Sequence, residues 1–299
     1  MSMLAKLRAW LPARSEMRAD LAFVPAAAFD YERQSPWRNM TMHYYGAAEV
    51  EAFNGYEWSR ATATAWWIPL TAVALYACMV LTFRPRERVA MSRAVACWNF
   101  ALGLFSLCGV RYCAPVLLHE LWANGFYFTA CAPAPWYGAG THGLFVALFI
   151  YSKLFELLDT AILLLGKRAV ISLHWWHHGT VLLYCWHSYA AQIATGLWFA
   201  AMNYFVHSVM YLYFACSALP SLRRRVKPYA IYVTLLQLAQ MVGGIYVTVA
   251  AVLYQADGRE CAVNKTNSIL GLCMYASYFL LFAKLFADNY LGKKRVKAA

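Results

Sequence analysis

Charge is scarce in this sequence. Only 13% of its 299 residues are Asp, Glu, Lys or Arg, where a soluble domain carries about 25%. Hydrophobic residues make up 62%, so the deficit excludes an ordinary soluble domain and predicts a polytopic membrane protein. No P-loop pattern occurs, so no Walker-type loop is expected to cradle a phosphate. The nine cysteines contain no CxxC pair, which argues against zinc. Most lie inside apolar runs, where Cys acts as a small hydrophobe. Met1 to Phe23 lacks the continuous apolar core of a secretory leader, because Arg14, Glu16 and Arg18 interrupt it. An interfacial amphipathic helix or disorder is expected there instead.

Acidic residues are the scarcer charge, 14 against 26 basic ones, for a net charge of +12. The basic residues sit in short clusters between apolar runs. That is the pattern of cytosolic loops, not of a nucleic-acid surface. A spanning helix needs roughly 20 mostly apolar residues, and seven such stretches are legible. They run about Thr62–Phe83, Ala94–Leu118, Thr141–Leu165, Val170–Tyr189, Gln192–Leu219, Tyr229–Tyr254 and Ser268–Leu291. A wetter connection with Pro and Gly, His119 to Gly140, separates the second from the third. The expected division is an N-terminal lumenal or interfacial segment 1–61, a seven-helix transmembrane domain 62–291 and a basic cytosolic tail 292–299.

Alternate loops carry the positive charge: Arg84, Arg86, Arg88 and Arg93; Lys167 and Arg168; Arg223, Arg224, Arg225 and Lys227; and the tail Lys293, Lys294, Arg295 and Lys297. Lys and Arg counts in short loops set orientation. These loops and the C-terminus are therefore expected in the cytosol, and seven spans then place the N-terminus in the lumen.

The rest is organised around Leu173-His174-Trp175-Trp176-His177-His178-Gly179. His174, His177 and His178 stand at i, i+3 and i+4, on one helix face. Titratable groups at membrane depth are costly and usually functional. The third span adds Lys153, Glu156, Asp159 and Thr160. The fifth adds Asn203, His207 and Tyr211, at i, i+4 and i+8, and the sixth adds Thr234, Gln237 and Gln240. Each stripe alone has a plain reading: a self-neutralised Lys–Glu pair, an aromatic belt, a satisfied core histidine or interhelical glue. Together they lie at one depth, close to the basic loops. They describe a polar chamber open to the cytosol with apolar walls beyond it. An apolar tunnel suits an acyl chain, and a basic mouth suits the phosphates of coenzyme A. Imidazole can be nucleophile or general base in acyl transfer, and Asn203 and Gln237 can donate to an oxyanion or enolate.

Two other classes stay open. The histidine box with Glu156 and Asp159 could hold one metal, as in a metal-dependent membrane lipid oxidase or desaturase-like enzyme. Seven spans also suit a receptor or a transporter.

Four segments resemble, in order and spacing, the signature motifs of the very-long-chain fatty acid elongases, the ELO family. They are Lys153-Leu154-Phe155-Glu156-Leu157-Leu158-Asp159-Thr160; the His174–His178 box; Asn203-Tyr204-Phe205-Val206-His207 with Met210-Tyr211; and Thr234-Leu235-Leu236-Gln237 with Gln240. The resemblance covers about Thr62 to Lys297. It implies an all-α polytopic fold of seven transmembrane helices, six of them forming a barrel of two inverted three-helix units around an acyl tunnel. It implies a very-long-chain 3-oxoacyl-CoA synthase of the endoplasmic reticulum, an acyltransferase. That enzyme condenses acyl-CoA with malonyl-CoA and releases carbon dioxide and coenzyme A. No cofactor and no metal are expected. Expected partners are membrane lipid, the ketoacyl-CoA reductase, dehydratase and enoyl-CoA reductase of the elongation cycle, and a homodimer partner.

The box with Thr180-Val181-Leu182-Leu183-Tyr184 looks most like the branch acting on saturated and monounsaturated chains. Ala169 stands where polyunsaturated-chain elongases typically carry Gln. The expected catalytic residues are His177, His207, His174, His178 and Asn203, with His177 forming an acyl-imidazole. Substrate contacts are expected from Lys153, Glu156, Asp159, Thr160, Gln237, Tyr211, Lys167, Arg168, Arg223, Arg224 and Lys227. The resemblance also places cysteines at positions 131 and 261, and an oxidising lumen permits a Cys131–Cys261 bond. Cys113 competes as a partner for Cys261, and two free thiols are the plain alternative. Asn39-Met40-Thr41 is a glycosylation acceptor sequence; Asn264-Lys265-Thr266 lies too near the seventh span to be used. The tail 295–299 resembles a basic retrieval signal. Trp186, Tyr189, Trp198 and Tyr246 are candidates for the tunnel floor, with an interfacial belt as the alternative.

Overall fold

Every regular element is a helix among the described residues of the computed structural model, which are residues 53, 55–134, 138 and 140–291. The expectations for Asn39, for most of segment 1–61 and for the tail 292–299 concern residues outside these. Helix α1 (Gly55–Thr64) and α2 (Trp67–Thr82) form one bent unit, with 55° between their axes. Pro69 sits in the first turn of α2, where a missing N–H removes no helical bond. The chain therefore bends before the proline instead of kinking at it.

The next helix, α3 (Ser92–Cys131), is 40 residues long and absorbs most of the connection expected to be wet. Two features allow this. Asn124 donates to the Glu120 carboxylate one turn earlier, with both side chains buried. Gly125 takes φ 79°, so the helix changes direction there without steric cost. Then follow α4 (Gly140–Glu156), α5 (Leu158–Leu165), α6 (Ser172–Ala190), α7 (Gly196–Ala218), a short α8 (Pro220–Val226), α9 (Ala230–Ala256) and α10 (Lys265–Phe286). The third expected span is thus two helices, broken at Leu157.

Three stretches are long and apolar enough to cross a membrane: Ser92–Cys131, Pro220–Ala256 and Lys265–Leu291. The bent α1–α2 unit would be a fourth. The helices outside that set include α4, α6 and α7, which carry the charged and imidazole stripes. The chain is a multi-pass membrane protein.

Six helices touch in a closed order: α3 with α4, α4 with α6, α6 with α10, α10 with α9, α9 with α7, and α7 with α3. The α1–α2 unit packs against α6 from outside that ring. Lipid supplies no hydrophobic drive between helices, so close packing has to. The α3–α7 contact shows how. A Cβ on Gly109 would lie 2.4 Å from the Tyr204 ring, and Tyr204 Oη donates to the Phe145 carbonyl at 2.7 Å.

The two ends of the bundle differ. At one end the Val89 N–H donates to Leu165 O at 3.1 Å and Lys167 Nζ to Arg86 O at 2.6 Å, joining two basic loops. At the other end a disulfide joins Cys131 to Cys261, and Cys113 is a free, buried thiol. There the Ala262 N–H donates to Cys131 O at 2.9 Å, and Tyr127 Oη donates to Glu260 O at 2.5 Å.

Candidate active site

The break at Leu157 arranges the polar residues of α4 and α5. Lys153 and Glu156, the last turn of α4, both point inward and are almost fully buried. Lys153 Nζ lies 2.6 Å from Glu156 Oε1 and 3.3 Å from Asn203 Oδ1, and 4.3 Å from the centre of the Phe149 ring. Ser152 Oγ donates to the same Glu156 oxygen at 3.2 Å. Glu156 Oε2 is buried and has no hydrogen-bond partner among the described residues. Because Asn203 gives its carbonyl to Lys153, its amide N–H groups remain available to donate.

Asp159 and Thr160, just past the break, reach two different parts of the cluster. Asp159 accepts from Trp98 Nε1 at 2.6 Å and from Tyr211 Oη at 3.0 Å. The Tyr211 ring stands edge-on to His207, centroids 5.3 Å apart. Asp159 is thus linked to the neighbourhood of His207 by Tyr211. Thr160 Oγ1 lies 2.8 Å from His174 Nε2 and 3.0 Å from Tyr76 Oη.

On α6 the three imidazoles form one cluster. The His174 and His178 rings are 4.4 Å apart and the His177 and His178 rings 5.3 Å. His178 Nδ1 is buried and has no hydrogen-bond partner among the described residues. Tyr278 of α10 braces His177: its ring lies 4.8 Å from the imidazole, and its hydroxyl donates to the His177 carbonyl at 3.2 Å.

A cavity begins at His177 of this cluster. His177 and Asn203 stand in its wall, with Gln240 of α9 and Tyr278. It follows one face of α6 from His177 through Val181 and Cys185 to Tyr189, a run of about 18 Å at 1.5 Å per residue. Its walls are mostly apolar, with Phe149, Phe199 and Met241 among them. Such a shape fits an extended hydrocarbon chain whose reacting end meets His177.

Some expected residues fall elsewhere. Gln237 donates to Met210 Sδ at 3.1 Å instead of lining the cavity, and Gln240, one turn on, does so. Lys167, Arg168, Arg224 and Lys227 are exposed on the basic end, as is Arg223, whose Nε donates to the Ser217 carbonyl at 2.9 Å. Of the four floor candidates only Tyr189 lines the cavity. Trp186 is buried and donates to Thr62 O at 2.9 Å, Trp198 donates to Thr129 Oγ1 at 3.1 Å, and Tyr246 is partly exposed. Sequence reasoning missed Tyr76, Trp98 and Tyr278. Each carries one polar atom on an aromatic body, which hydropathy counts as apolar. Among the described residues no group of three His, Cys, Asp and Glu side chains is arranged to hold a metal ion.

Residues 61–298 match the ELO, or GNS1/SUR4, family. Among relatives, "Fatty acid elongase 1" of Trypanosoma brucei brucei (strain 927/4 GUTat10.1) is 45% identical over 204 residues, 67% of this chain and 66% of that protein. "Fatty acid elongase 3" of the same organism is 41% identical over 258 residues, 76% of this chain and 85% of that protein. "Fatty acid elongase 3" of Trypanosoma cruzi (strain CL Brener) is 38% identical over 258 residues, 75% and 84% of the two chains. With the family match covering most of its length, and with His177, Asn203 and Gln240 of the motifs lining one cavity, the chain belongs to the ELO family of fatty acid elongases.

Proposed function

We propose that this protein elongates long-chain fatty acids as a very-long-chain 3-oxoacyl-CoA synthase. It condenses acyl-CoA with malonyl-CoA to give 3-ketoacyl-CoA, carbon dioxide and coenzyme A. One observation carries the reading: an apolar cavity runs from His177 and Asn203 along α6 to Tyr189. An acyl chain laid along it presents its carbonyl carbon to an imidazole.

The reaction is read in two stages. His177 attacks the acyl thioester, a carbon–nitrogen bond forms, the carbon–sulfur bond breaks and coenzyme A leaves as its thiol. Malonyl-CoA then loses carbon dioxide, and its enolate carbon takes the acyl group as the imidazole departs. His207 serves as base or enolate stabiliser, held by Tyr211 and Asp159. Asn203 donates to the developing oxyanion. The Lys153–Glu156 pair fixes Asn203, and His174 and His178 set the proton pattern around His177. Gln240 joins the cavity wall where Gln237 was expected.

The basic loops with Lys167, Arg168, Arg223, Arg224 and Lys227 suit the phosphates of coenzyme A at a cytosolic mouth. Ala169 and the Thr180–Tyr184 stretch favour saturated and monounsaturated chains. The closed contact order of six helices, with α1–α2 outside, supports a seven-span barrel of two inverted three-helix units. The membrane is that of the endoplasmic reticulum, with Asn39 and the N-terminus lumenal and the C-terminus cytosolic. The other enzymes of the cycle would draw the product onward.

Purified protein given acyl-CoA alone tests the two-stage order. Release of one equivalent of coenzyme A, with a matching mass shift on His177, is the expected result. Release only after malonyl-CoA is added would mean direct transfer in a ternary complex. No product from a panel of acyl-CoAs with labelled malonyl-CoA would reject the elongase reading.

A further inference from the structure

Tyr76 lies in the first span, outside the ring of six helices, yet its hydroxyl is part of the histidine cluster. The residue is 5% exposed, and its hydroxyl has one hydrogen-bond partner among the described residues, Thr160 Oγ1 at 3.0 Å. Thr160 Oγ1 in turn lies 2.8 Å from His174 Nε2. A buried phenol with a single oxygen neighbour donates to it, because an unbonded buried O–H is costly. Thr160 has one proton of its own. With the phenol proton pointing at its oxygen, it gives that proton to His174 Nε2.

The consequence is a fixed tautomer. Nε2 of His174 is an acceptor, so the neutral ring carries its proton on Nδ1. Nothing else in the described residues pins His174 this way. Its nearest ring neighbour is His178, whose own Nδ1 is buried and has no hydrogen-bond partner among the described residues. The proton arrangement of the cluster therefore starts at Tyr76 and passes inward through Thr160 and His174.

We infer that Tyr76 is a positioning residue for the reaction: through Thr160 it holds His174 in the Nδ1–H tautomer, so a helix outside the ring sets the protonation pattern of the acyl-transfer cluster. The role in catalysis rests on the elongase reading above; the tautomer does not.

Two-bond proton–nitrogen correlation on ¹⁵N-histidine-labelled protein in nanodiscs reads the tautomer directly. His174 is assigned by the signal lost in His174→Gln. The wild type should show His174 protonated on Nδ1; protonation on Nε2 overturns the inference without any variant. Tyr76→Phe keeps the ring and removes only the hydroxyl. It should shift His174 toward the other tautomer and lower kcat roughly tenfold, about the worth of one hydrogen bond. KM for acyl-CoA should stay within about twofold, since the cavity is untouched.

Thr160→Ser keeps a hydroxyl and should preserve both signal and turnover. Thr160→Val removes it and should reproduce Tyr76→Phe. A Tyr76→Phe protein with wild-type signal and turnover overturns the proposal. So does lost turnover with an unchanged His174 signal, which would make the hydroxyl a packing device only. If the wild type makes no elongated product, the elongase reading fails while the nitrogen spectrum still decides the relay.

Discussion

Lys153 Nζ sits 2.6 Å from Glu156 Oε1, and both side chains are almost wholly removed from solvent. A buried pair of this kind behaves asymmetrically on mutation. Removing one partner strands the other's charge, which costs about 3–5 kcal/mol, whereas replacing both with apolar groups is often neutral. Lys153→Met and Glu156→Met should each unfold at clearly lower temperature in detergent than the wild type. The double variant should recover much of that stability and still fail to elongate, because Asn203 loses its anchor. Thermal unfolding alongside a turnover assay checks this. A double variant no more stable than the singles would show that the pair strengthens the bundle in its own right.

Tyr189 lines the cavity and Trp186 does not. Tyr189→Ala should extend the cavity and move the product distribution to longer chains at near-normal turnover. Trp186→Ala should instead destabilise the fold, by about 3–5 kcal/mol as for other buried aromatic truncations, with no change in product length from whatever remains folded. Product analysis by mass spectrometry separates the two. Unchanged products from Tyr189→Ala would move the floor elsewhere.

Gly244 has no room for a side chain. A Cβ there would lie 2.6 Å from Tyr275 Cζ, and Tyr275 lines the cavity. Gly244→Ala should push that ring into the cavity and lower activity on the longest acyl-CoA accepted more than on shorter ones. An equal loss on all chain lengths would mean that the helix contact is disturbed and not the cavity.

Cys131 and Cys261 are bonded across 130 residues of sequence. Closing a loop of that length restricts the unfolded chain by on the order of 4–5 kcal/mol in the entropic picture. Reduction, or Cys261→Ser, should lower the unfolding temperature while leaving initial turnover near normal, since the bond lies at the end of the bundle away from the basic loops. Non-reducing peptide mapping should recover the 131–261 pair. A 113–261 pair would contradict the structure.

Asp159 holds two elements at once, taking one hydrogen bond from Trp98 on α3 and one from Tyr211 on α7. Asp159→Asn keeps one acceptor oxygen and puts an NH2 donor opposite either Trp98 Nε1–H or the Tyr211 hydroxyl. It should lower kcat through His207, on the order of tenfold or more, with a smaller change in KM. Trp98→Phe should reproduce part of that loss, because Tyr211 still anchors the carboxylate. Equal activity of Asp159→Asn and wild type would detach this network from the chemistry.

Much of the site was legible in the chain. A helix repeats every 3.6 residues, so His174, His177 and His178 had to share a face wherever α6 lies, as did Asn203, His207 and Tyr211 on α7. Apolar length and loop charge pointed to seven spans for the same reason, each being a property of neighbouring residues, whereas among the described residues three stretches, or four with the bent α1–α2 unit, are long and apolar enough to cross. What the sequence could not contain was the pairing between helices. Nothing along the chain says that Asp159 reaches Trp98, 61 residues away, or that Thr160 meets Tyr76, 84 residues away. Nor does periodicity tell Tyr189 from Trp186, three residues apart, one facing the cavity and one facing α1. In a membrane the helices are not driven together by hydrophobic burial, so which faces meet is decided by close packing and by the few polar atoms that need partners. Those contacts exist only once the bundle has closed. The chain thus determined the reactive groups, and the packed fold decided which of them act together.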